Sequence, residues 1–182
     1  HVALRESTQT VYAANYGSGS LSVFKTENGR LLPVAQHIQY AGSSINKSRQ
    51  QGPHAHQVVV SPDQLYLYVN DLGTDRIYQH RIYADGLVNE TPVIIPVKPG
   101  NGPRHMTFNA AGTHAYLLSE LSGTVDVFRV QDGQFKLIQT AVSDTSAAES
   151  KASADIHISP NGRWLISSNR ITTDQLTVFA IN

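Results

Sequence analysis

Cysteine, long hydrophobic runs and an excess of either charge are all missing from this chain of 182 residues. No disulfide can form without cysteine, which fits a reducing compartment and leads us to expect a cytoplasmic protein. The longest apolar runs, such as residues 93–95, are far too short to span a membrane. Lys and Arg number 14, as do Asp and Glu, and no basic cluster could follow a phosphate backbone. We therefore expect neither a membrane nor a nucleic acid as partner.

A repeated pattern is present instead. Each copy has an apolar strand, a turn, a second strand, a polar residue and then a third strand, as in residues 56–82. Tyr12, Tyr68 and Tyr116 occupy the same place in their copies. The strands are rich in β-branched and aromatic residues, and Pro-Asp or Asn-Gly turns separate them. A period of about 50 residues with four short strands per unit is typical of a propeller blade.

The predicted fold is therefore all-β, a β-propeller of four-stranded antiparallel blades. The blades fall roughly at residues 1–45, 53–97, 103–142 and 154–182, with polar loops at 41–52 and 143–154. The chain is expected to begin inside one blade and to stop after the third strand of another, leaving about three and a half blades of a larger ring. Open blade faces predict self-association of such a fragment.

The turns of an up-and-down blade predict a site. Strand one leaves one rim and strand two returns to it, so residues before strand one and after strand two meet at one mouth of the central channel. The polar residues at these places are Asn15, Tyr16, His54, His56, Asp71, Arg104, His105, Glu120, Asp155, His157, Asn169 and Arg170.

The chemical types in this set predict binding of a small anion and transfer of a proton. Arginine forms paired hydrogen bonds with phosphate or carboxylate oxygens, and histidine takes up protons near neutral pH. A structural role is the competing interpretation, because propellers also use polar residues to bind loops between blades. Asp71 and Asn169 recur across copies and favour that role, whereas Arg104, Glu120 and Arg170 each occur in one copy. His105 and His157 lack the close ligand spacing of a metal site, so we expect neither metal nor cofactor.

Several motifs resemble those of the seven-bladed lactonase family, which joins bacterial cycloisomerase-type 6-phosphogluconolactonases with fungal carboxymuconate lactonizing enzymes. The motifs are Pro53-His54-Ala55-His56, Ser61-Pro62-Asp63, Gly102-Pro103-Arg104-His105, Ile156-His157-Ile158-Ser159-Pro160-Asn161-Gly162 and Ser168-Asn169-Arg170. The resemblance covers nearly the whole chain and implies a seven-bladed parent about twice as long. Gln64 replaces a usual Gly, His80 a frequent Tyr and Asp155 a usual Glu.

The resemblance also implies an activity, hydrolysis of 6-phospho-D-glucono-1,5-lactone to 6-phosphogluconate. The family's active-site residues correspond to His56, Arg104, Glu120 and Arg170, and we expect His54, His105, Asp155 and His157 to help bind the substrate. Either His56 or Glu120 would activate water, while the arginines hold the phosphate or the oxyanion. Cycloisomerisation of a carboxymuconate and a non-catalytic binding propeller are the alternatives, and a fragment with half the ring is expected to have little activity.

Overall fold

The computed structural model describes residues 1–147, 151–171 and 174–182, and over these residues the strands form four antiparallel sheets. The first contains β1 (Val2–Arg5), β2 (Thr10–Asn15), β3 (Ser20–Glu27) and β4 (Arg30–Gln39). The second contains β5 (Ala55–Val60), β6 (Tyr66–Asp71), β7 (Arg76–Arg81) and β8 (Val93–Pro96). The third contains β9 (Pro103–Phe108), β10 (His114–Ser119), β11 (Thr124–Gln131) and β12 (Gln134–Val142). The fourth contains β13 (Ser153–Ile158), β14 (Trp164–Asn169) and β15 (Gln175–Ala180).

Each sheet is a meander in which successive strands pair, as expected of a propeller blade. The first strands of neighbouring blades contact one another, β1 with β5, β5 with β9 and β9 with β13, so they form the inner wall of the ring. The predicted all-β propeller is thus confirmed. A 3₁₀ turn at Glu6–Thr8 interrupts the strands, and over the described residues no helical segment is long and apolar enough to cross a bilayer.

One expectation about the first blade is wrong. Its sheet has four strands, because Val2–Arg5 pairs with β2 as the innermost strand, so the chain does not begin partway through this blade. Val2, Ala3 and Leu4 are all apolar, so this segment lacks the alternation of apolar and polar residues that predicts a half-buried strand. The predicted loop at 41–52 contains no strand. In the predicted loop at 143–154, β13 already begins at Ser153, and residues 148–150 lie outside the described residues.

The hydrophobic core lies between blades. Three clusters of buried side chains fill the spaces between the first and second, second and third, and third and fourth sheets. Tyr12 in β2, Tyr68 in β6 and Tyr116 in β10 each occupy the third position of the second strand, which confirms the register predicted from the repeat. The Tyr12 hydroxyl also donates to the Gly86 carbonyl of the next blade at 2.7 Å. Blade stacking thus holds the inner strands around the channel.

The outer turn between strands one and two explains one departure from the family pattern. Gln64 has φ 59°, and the equivalent turn residues Gly112 and Gly162 have φ 70° and 71°. Glycine adopts this left-handed region without the steric cost that a side chain brings. Gln64 adopts this conformation in a turn at the rim opposite the predicted site. The presence of Gln in place of the family's usual Gly therefore leaves the site unchanged.

Candidate active site

Irregular pairing in the inner strands positions two of the predicted residues. The pairing of β5 with β6 steps from Ala55 directly to Gln57, which makes His56 the extra residue of a β-bulge. The pairing of β9 with β10 has the same irregularity at Arg104. A bulge bends its strand and redirects the side chain of the extra residue. His56 and Arg104 are therefore equivalent bulge residues of adjacent blades at the same end of the channel.

The second strands supply the facing residues. Tyr16, Glu120 and Arg170 are each the first residue after the second strand of a blade, following β2, β10 and β14. The backbone N–H of Glu120 donates to the Gly102 carbonyl at 2.8 Å, which fixes this corner of its blade. The up-and-down topology thus brings three different side chains from three blades to one mouth, as the repeat predicted.

Glu120 is the centre of a group of ion pairs. Its Oε1 accepts from Nη2 of Arg49 at 2.6 Å, and its Oε2 accepts from Nε of Arg104 at 2.8 Å and from Nη2 of Arg170 at 3.4 Å. The Glu120 side chain is 7% exposed, compared with 14% for Arg104, 38% for Arg49 and 44% for Arg170. Hydrogen bonds to charged donors are the stronger kind, so the carboxylate holds three guanidinium groups in fixed positions.

Charges within this group alter the pKa of two arginines. Burial and the nearby charge of Arg170 lower the pKa of Arg104, although Glu120 acts in the opposite direction. Hydrogen bonds to Tyr16 and Glu120 raise the pKa of Arg49. The pKa values of Arg104 and Arg49 thus move in opposite directions, because burial opposes the charge of Arg104 while hydrogen bonds support that of Arg49.

The histidines of the Pro-His-Ala-His motif lie beside this group. His56 contacts His105 edge to face at a ring-centroid distance of 5.1 Å and Tyr16 at 5.6 Å, while His54 stacks on Tyr16 at 4.6 Å. Burial, followed by the charge of Arg104, lowers the pKa of His56 to about 3. Its Nδ1 is buried and has no hydrogen-bond partner among the described residues. His56 is therefore a neutral imidazole at physiological pH.

A second carboxylate connects two further histidines. Asp155 accepts from Nδ1 of His105 at 2.7 Å through Oδ1 and from Nε2 of His157 at 2.9 Å through Oδ2. Burial opposes ionisation of Asp155, but these two hydrogen bonds outweigh it and lower the pKa to about 2. Burial also lowers the pKa of His105. All three line a cavity of about 440 Å³ along the inner strands, whereas His54, the fourth predicted substrate-binding residue, does not.

The expectation that the site uses no metal stays a prediction, and the structure contributes one observation about possible ligands. In the part of the chain that the structure describes, no group of three or more His, Asp or Glu side chains is arranged to hold an ion. Asp155 is instead occupied by the imidazoles of His105 and His157. The chemistry available at this mouth is that of arginine, imidazole and carboxylate.

Residues matched across the copies have structural roles. Asp71 accepts from the backbone N–H groups of His54 at 2.7 Å and Gly73 at 2.8 Å, which closes the turn after β6. Asn169 hydrogen-bonds serine side chains in the neighbouring loop and in β13, and Asn15 does the same within its own blade. The prediction that Asp71 and Asn169 serve the architecture is confirmed.

The sequence argument missed Arg49, which lies in the loop at 41–52. No periodic pattern marks this loop, and its partner Glu120 is 71 residues further along the chain. The available signal was a basic residue in an otherwise polar loop directly before the Pro-His-Ala-His motif. The contacts place the eight candidate residues near one another, and their assignment to an active site stays a prediction.

Comparison with known proteins agrees with this architecture. A family model described as "Lactonase, 7-bladed beta-propeller" matches residues 1–182. A 6-phosphogluconolactonase of Formosa agariphila is 34% identical over 187 residues, covering 100% of this chain and 53% of the relative. A Bacteroides fragilis crystal structure superposes with a TM-score of 0.92 at 39% identity, covering 100% of this chain and 52% of that one. The Pseudomonas aeruginosa periplasmic gluconolactonase gives 0.89 at 33% identity, with 100% and 52% coverage.

These matches run through the whole of the present sequence but through only part of each relative. The chain spans about half the length of the relatives it matches. The inner-strand bulges, the ion-paired mouth and the four stacked sheets all lie within the matched region. This chain belongs to the lactonase family of seven-bladed β-propellers.

Proposed function

We propose that the protein containing this chain is a lactonase that hydrolyses 6-phospho-D-glucono-1,5-lactone to 6-phosphogluconate. The observation that carries the proposal is the group of three arginines on Glu120 beside the neutral imidazole of His56. A phosphorylated lactone presents an anion and a carbonyl that becomes an oxyanion during attack. Arginine stabilises both kinds of charge, and a neutral imidazole accepts a proton.

The reaction requires a base, an oxyanion donor and a proton for the leaving oxygen. The oxygen of water attacks the lactone carbonyl carbon while its proton passes to His56, and Arg104 stabilises the tetrahedral oxyanion. Collapse of this intermediate breaks the bond from the carbonyl carbon to the ring oxygen. That oxygen takes the proton back from His56 and becomes a hydroxyl, and the new carboxylic acid ionises. No group beyond water and these side chains is needed.

His56 suits the role of base better than Glu120. Oε2 of Glu120 already accepts two guanidinium hydrogen bonds and Oε1 accepts a third at 2.6 Å. A carboxylate so occupied has little capacity left to receive a proton from water. His56 is half-buried, its Nδ1 has no hydrogen-bond partner among the described residues, and it lies next to Arg104 at the equivalent bulge of the adjacent blade. Glu120 therefore acts as a positioning residue for the arginines.

The proposal is tested by measuring lactone hydrolysis with the full-length protein, after subtraction of the spontaneous rate. Arg104→Ala should lower kcat/KM by about 100-fold or more, because an oxyanion donor in a water-poor site is worth that much. Arg163→Ala is the matched control, since Arg163 is exposed in the turn at the opposite rim. Activity of Arg104→Ala equal to that of the wild type would overturn the assignment.

Two other functions are tested in the same preparation. A carboxymuconate cycloisomerase would form a lactone from a dicarboxylate, with proton transfer to carbon in place of attack by water. A binding propeller would leave both substrates unchanged. Turnover of carboxymuconate in the absence of phosphogluconolactone hydrolysis would replace the present proposal with the first, and no turnover of either would favour the second.

The proposal also includes a cytoplasmic location and a small anionic lactone as the partner. The phosphate of this substrate carries nearly two negative charges, and charged groups do not cross a bilayer readily, so enzyme and substrate must share a compartment. Fractionation of producing cells tests this, and recovery of the protein in a periplasmic fraction would contradict it.

A further inference from the structure

Arg49 is presented by a loop with specific internal hydrogen bonds. The Asn46 side chain accepts from the backbone N–H groups of Ser48 and Arg49, both at 3.1 Å. The next residue, Gln50, is fully buried and donates to the Leu72 carbonyl at 2.8 Å and to Oδ2 of Asp75 at 2.7 Å. A buried amide with both bonds made fixes the loop to the second blade. The backbone of Arg49 is thus held in place between an internal turn and this anchor.

The side chain of Arg49 extends from this loop to the third blade. Its Nη2 donates to Oε1 of Glu120 at 2.6 Å and to the Tyr16 hydroxyl at 3.4 Å. Among the described residues, its Nε and Nη1 have no hydrogen-bond acceptor. A guanidinium group has five N–H donors, and 38% of this side chain is exposed. Arg49 therefore offers free donors at the open end of the mouth.

The three arginines and Glu120 carry a net positive charge, and the arginines differ in how deeply their side chains are buried. Three guanidinium groups against the carboxylate of Glu120 leave about two positive charges, which matches the roughly −1.5 to −2 charge of a phosphate monoester. Arg104 is the buried member and lies beside His56, where a carbonyl oxygen would react. Arg49 and Arg170 are the exposed members. The 6-phosphate is joined to the reacting carbonyl carbon through the ring oxygen, C5 and C6, so it projects outside the ring and suits the outer pair.

We propose that Arg49, together with Arg170, binds the 6-phosphate of the lactone and makes the enzyme selective for phosphorylated over unphosphorylated substrate. This assignment rests on the proposed lactonase function and adds the group that Arg49 recognises. The N–H donors of a guanidinium group lie in one plane at fixed angles, so the free Nε and Nη1 of Arg49 can each donate to a phosphate oxygen in a geometry that an ammonium group does not reproduce. Arg49 is a specificity residue, and the chemistry at the carbonyl does not depend on its charge.

The test compares two substrates, 6-phosphogluconolactone and glucono-1,5-lactone, in the full-length protein. Arg49→Ala should lower kcat/KM for the phosphorylated lactone by about 10–100-fold, and Arg49→Lys should lower it less, because one bidentate contact is lost or weakened. The loss for glucono-1,5-lactone should be smaller, so the ratio of kcat/KM for the phosphorylated to the unphosphorylated lactone should fall by about 10-fold or more in Arg49→Ala. Lys47→Ala is the matched control, an exposed cation of the same loop, and should leave both values unchanged.

Two results would overturn the inference. An equal loss on both lactones would show that Arg49 acts only by holding Glu120, and unchanged values would show no role. Calorimetric titration with 6-phosphogluconate and gluconate gives a second readout that needs no turnover. If the wild type hydrolyses neither lactone, the lactonase proposal fails. The phosphate site then stands or falls on whether Arg49→Ala selectively weakens 6-phosphogluconate binding.

Discussion

Nε of Arg104 donates to Oε2 of Glu120 at 2.8 Å, and both side chains are largely buried. Arg104 is the bulge residue of the inner strand, and Glu120 directly follows the strand that pairs with it. Removing one member of a buried ion pair costs about 3–5 kcal/mol, because the other charge is left without its partner. Removing either charge should therefore lower the free energy of unfolding and also change the net charge at the mouth.

Glu120→Gln should lower kcat/KM for the phosphorylated lactone by about 10–100-fold, because loosened arginines no longer hold the substrate in reacting geometry. The acid limb of the pH profile should stay where it is, since His56 remains as base. A pH–rate profile of wild type and variant checks this. Disappearance of that limb in Glu120→Gln would identify Glu120 as the base and contradict the positioning role.

Acid should destabilise the protein through His56. Its pKa is about 3 in the fold and 6.5 ordinarily, so below pH 6.5 the unfolded chain binds a proton that the folded chain does not. The free energy of unfolding should therefore fall as the pH drops from about 6.5 towards 3. Urea denaturation at several pH values measures the slope, which His56→Gln should reduce. His37→Gln, an exposed histidine on an outer strand, is the control and should retain the wild-type slope.

The substitution Asp155→Asn should change the pKa and the orientation of the His105 imidazole. The carboxylate holds a proton on Nδ1 of His105 at 2.7 Å, and the loss of this hydrogen bond should lower the pKa of His105 further and free its ring. We expect a fall in kcat/KM of about 10-fold, carried mainly by KM because the ring helps to bind substrate. Nitrogen NMR of the imidazole reports the change of tautomer directly.

His157→Ala is the matched control for Asp155→Asn. It removes the other partner of Asp155 and leaves the bond to His105 in place. A smaller fall in kcat/KM than that of Asp155→Asn is expected, because His157 is exposed and its removal leaves the hydrogen bond between Asp155 and His105 in place. If His157→Ala lost as much activity as Asp155→Asn, the role assigned to His105 would be wrong.

Gly73→Ala should destabilise the fold beside the site. A Cβ at this position would lie 1.9 Å from the Gly52 carbonyl oxygen and 2.9 Å from the backbone nitrogen of His54, so the backbone must shift. Overpacking of this kind costs about 1–3 kcal/mol. Gly17→Ala is the control, because a Cβ there meets no atom within 4 Å. Denaturant unfolding of both variants tests the difference, and equal midpoints would contradict the close approach.

The amino-acid sequence by itself determined the strands and the blade repeat. Alternation of apolar residues and Pro-Asp or Asn-Gly turns are local signals, so the equivalence of Tyr12, Tyr68 and Tyr116 could be recognised without a structure. The same repeat shows which strand ends share one rim of the propeller. It therefore predicted that His56, Arg104 and their neighbours lie close together at one mouth of the channel. The four-residue strand β1 was missed because its first three residues are all apolar and show no alternation.

Only the tertiary structure decided how the convergent residues are paired. The stacking of blades brings Arg49 from an irregular loop to Glu120, and this contact has no local signature. The sequence left Glu120 as a candidate base. The same packing places its carboxylate in ion pairs with three guanidinium groups, which makes it a positioning residue. A repeat encodes backbone position, whereas hydrogen bonds between long side chains depend on distances across blades. Those distances are set by blade packing, which the sequence pattern does not contain.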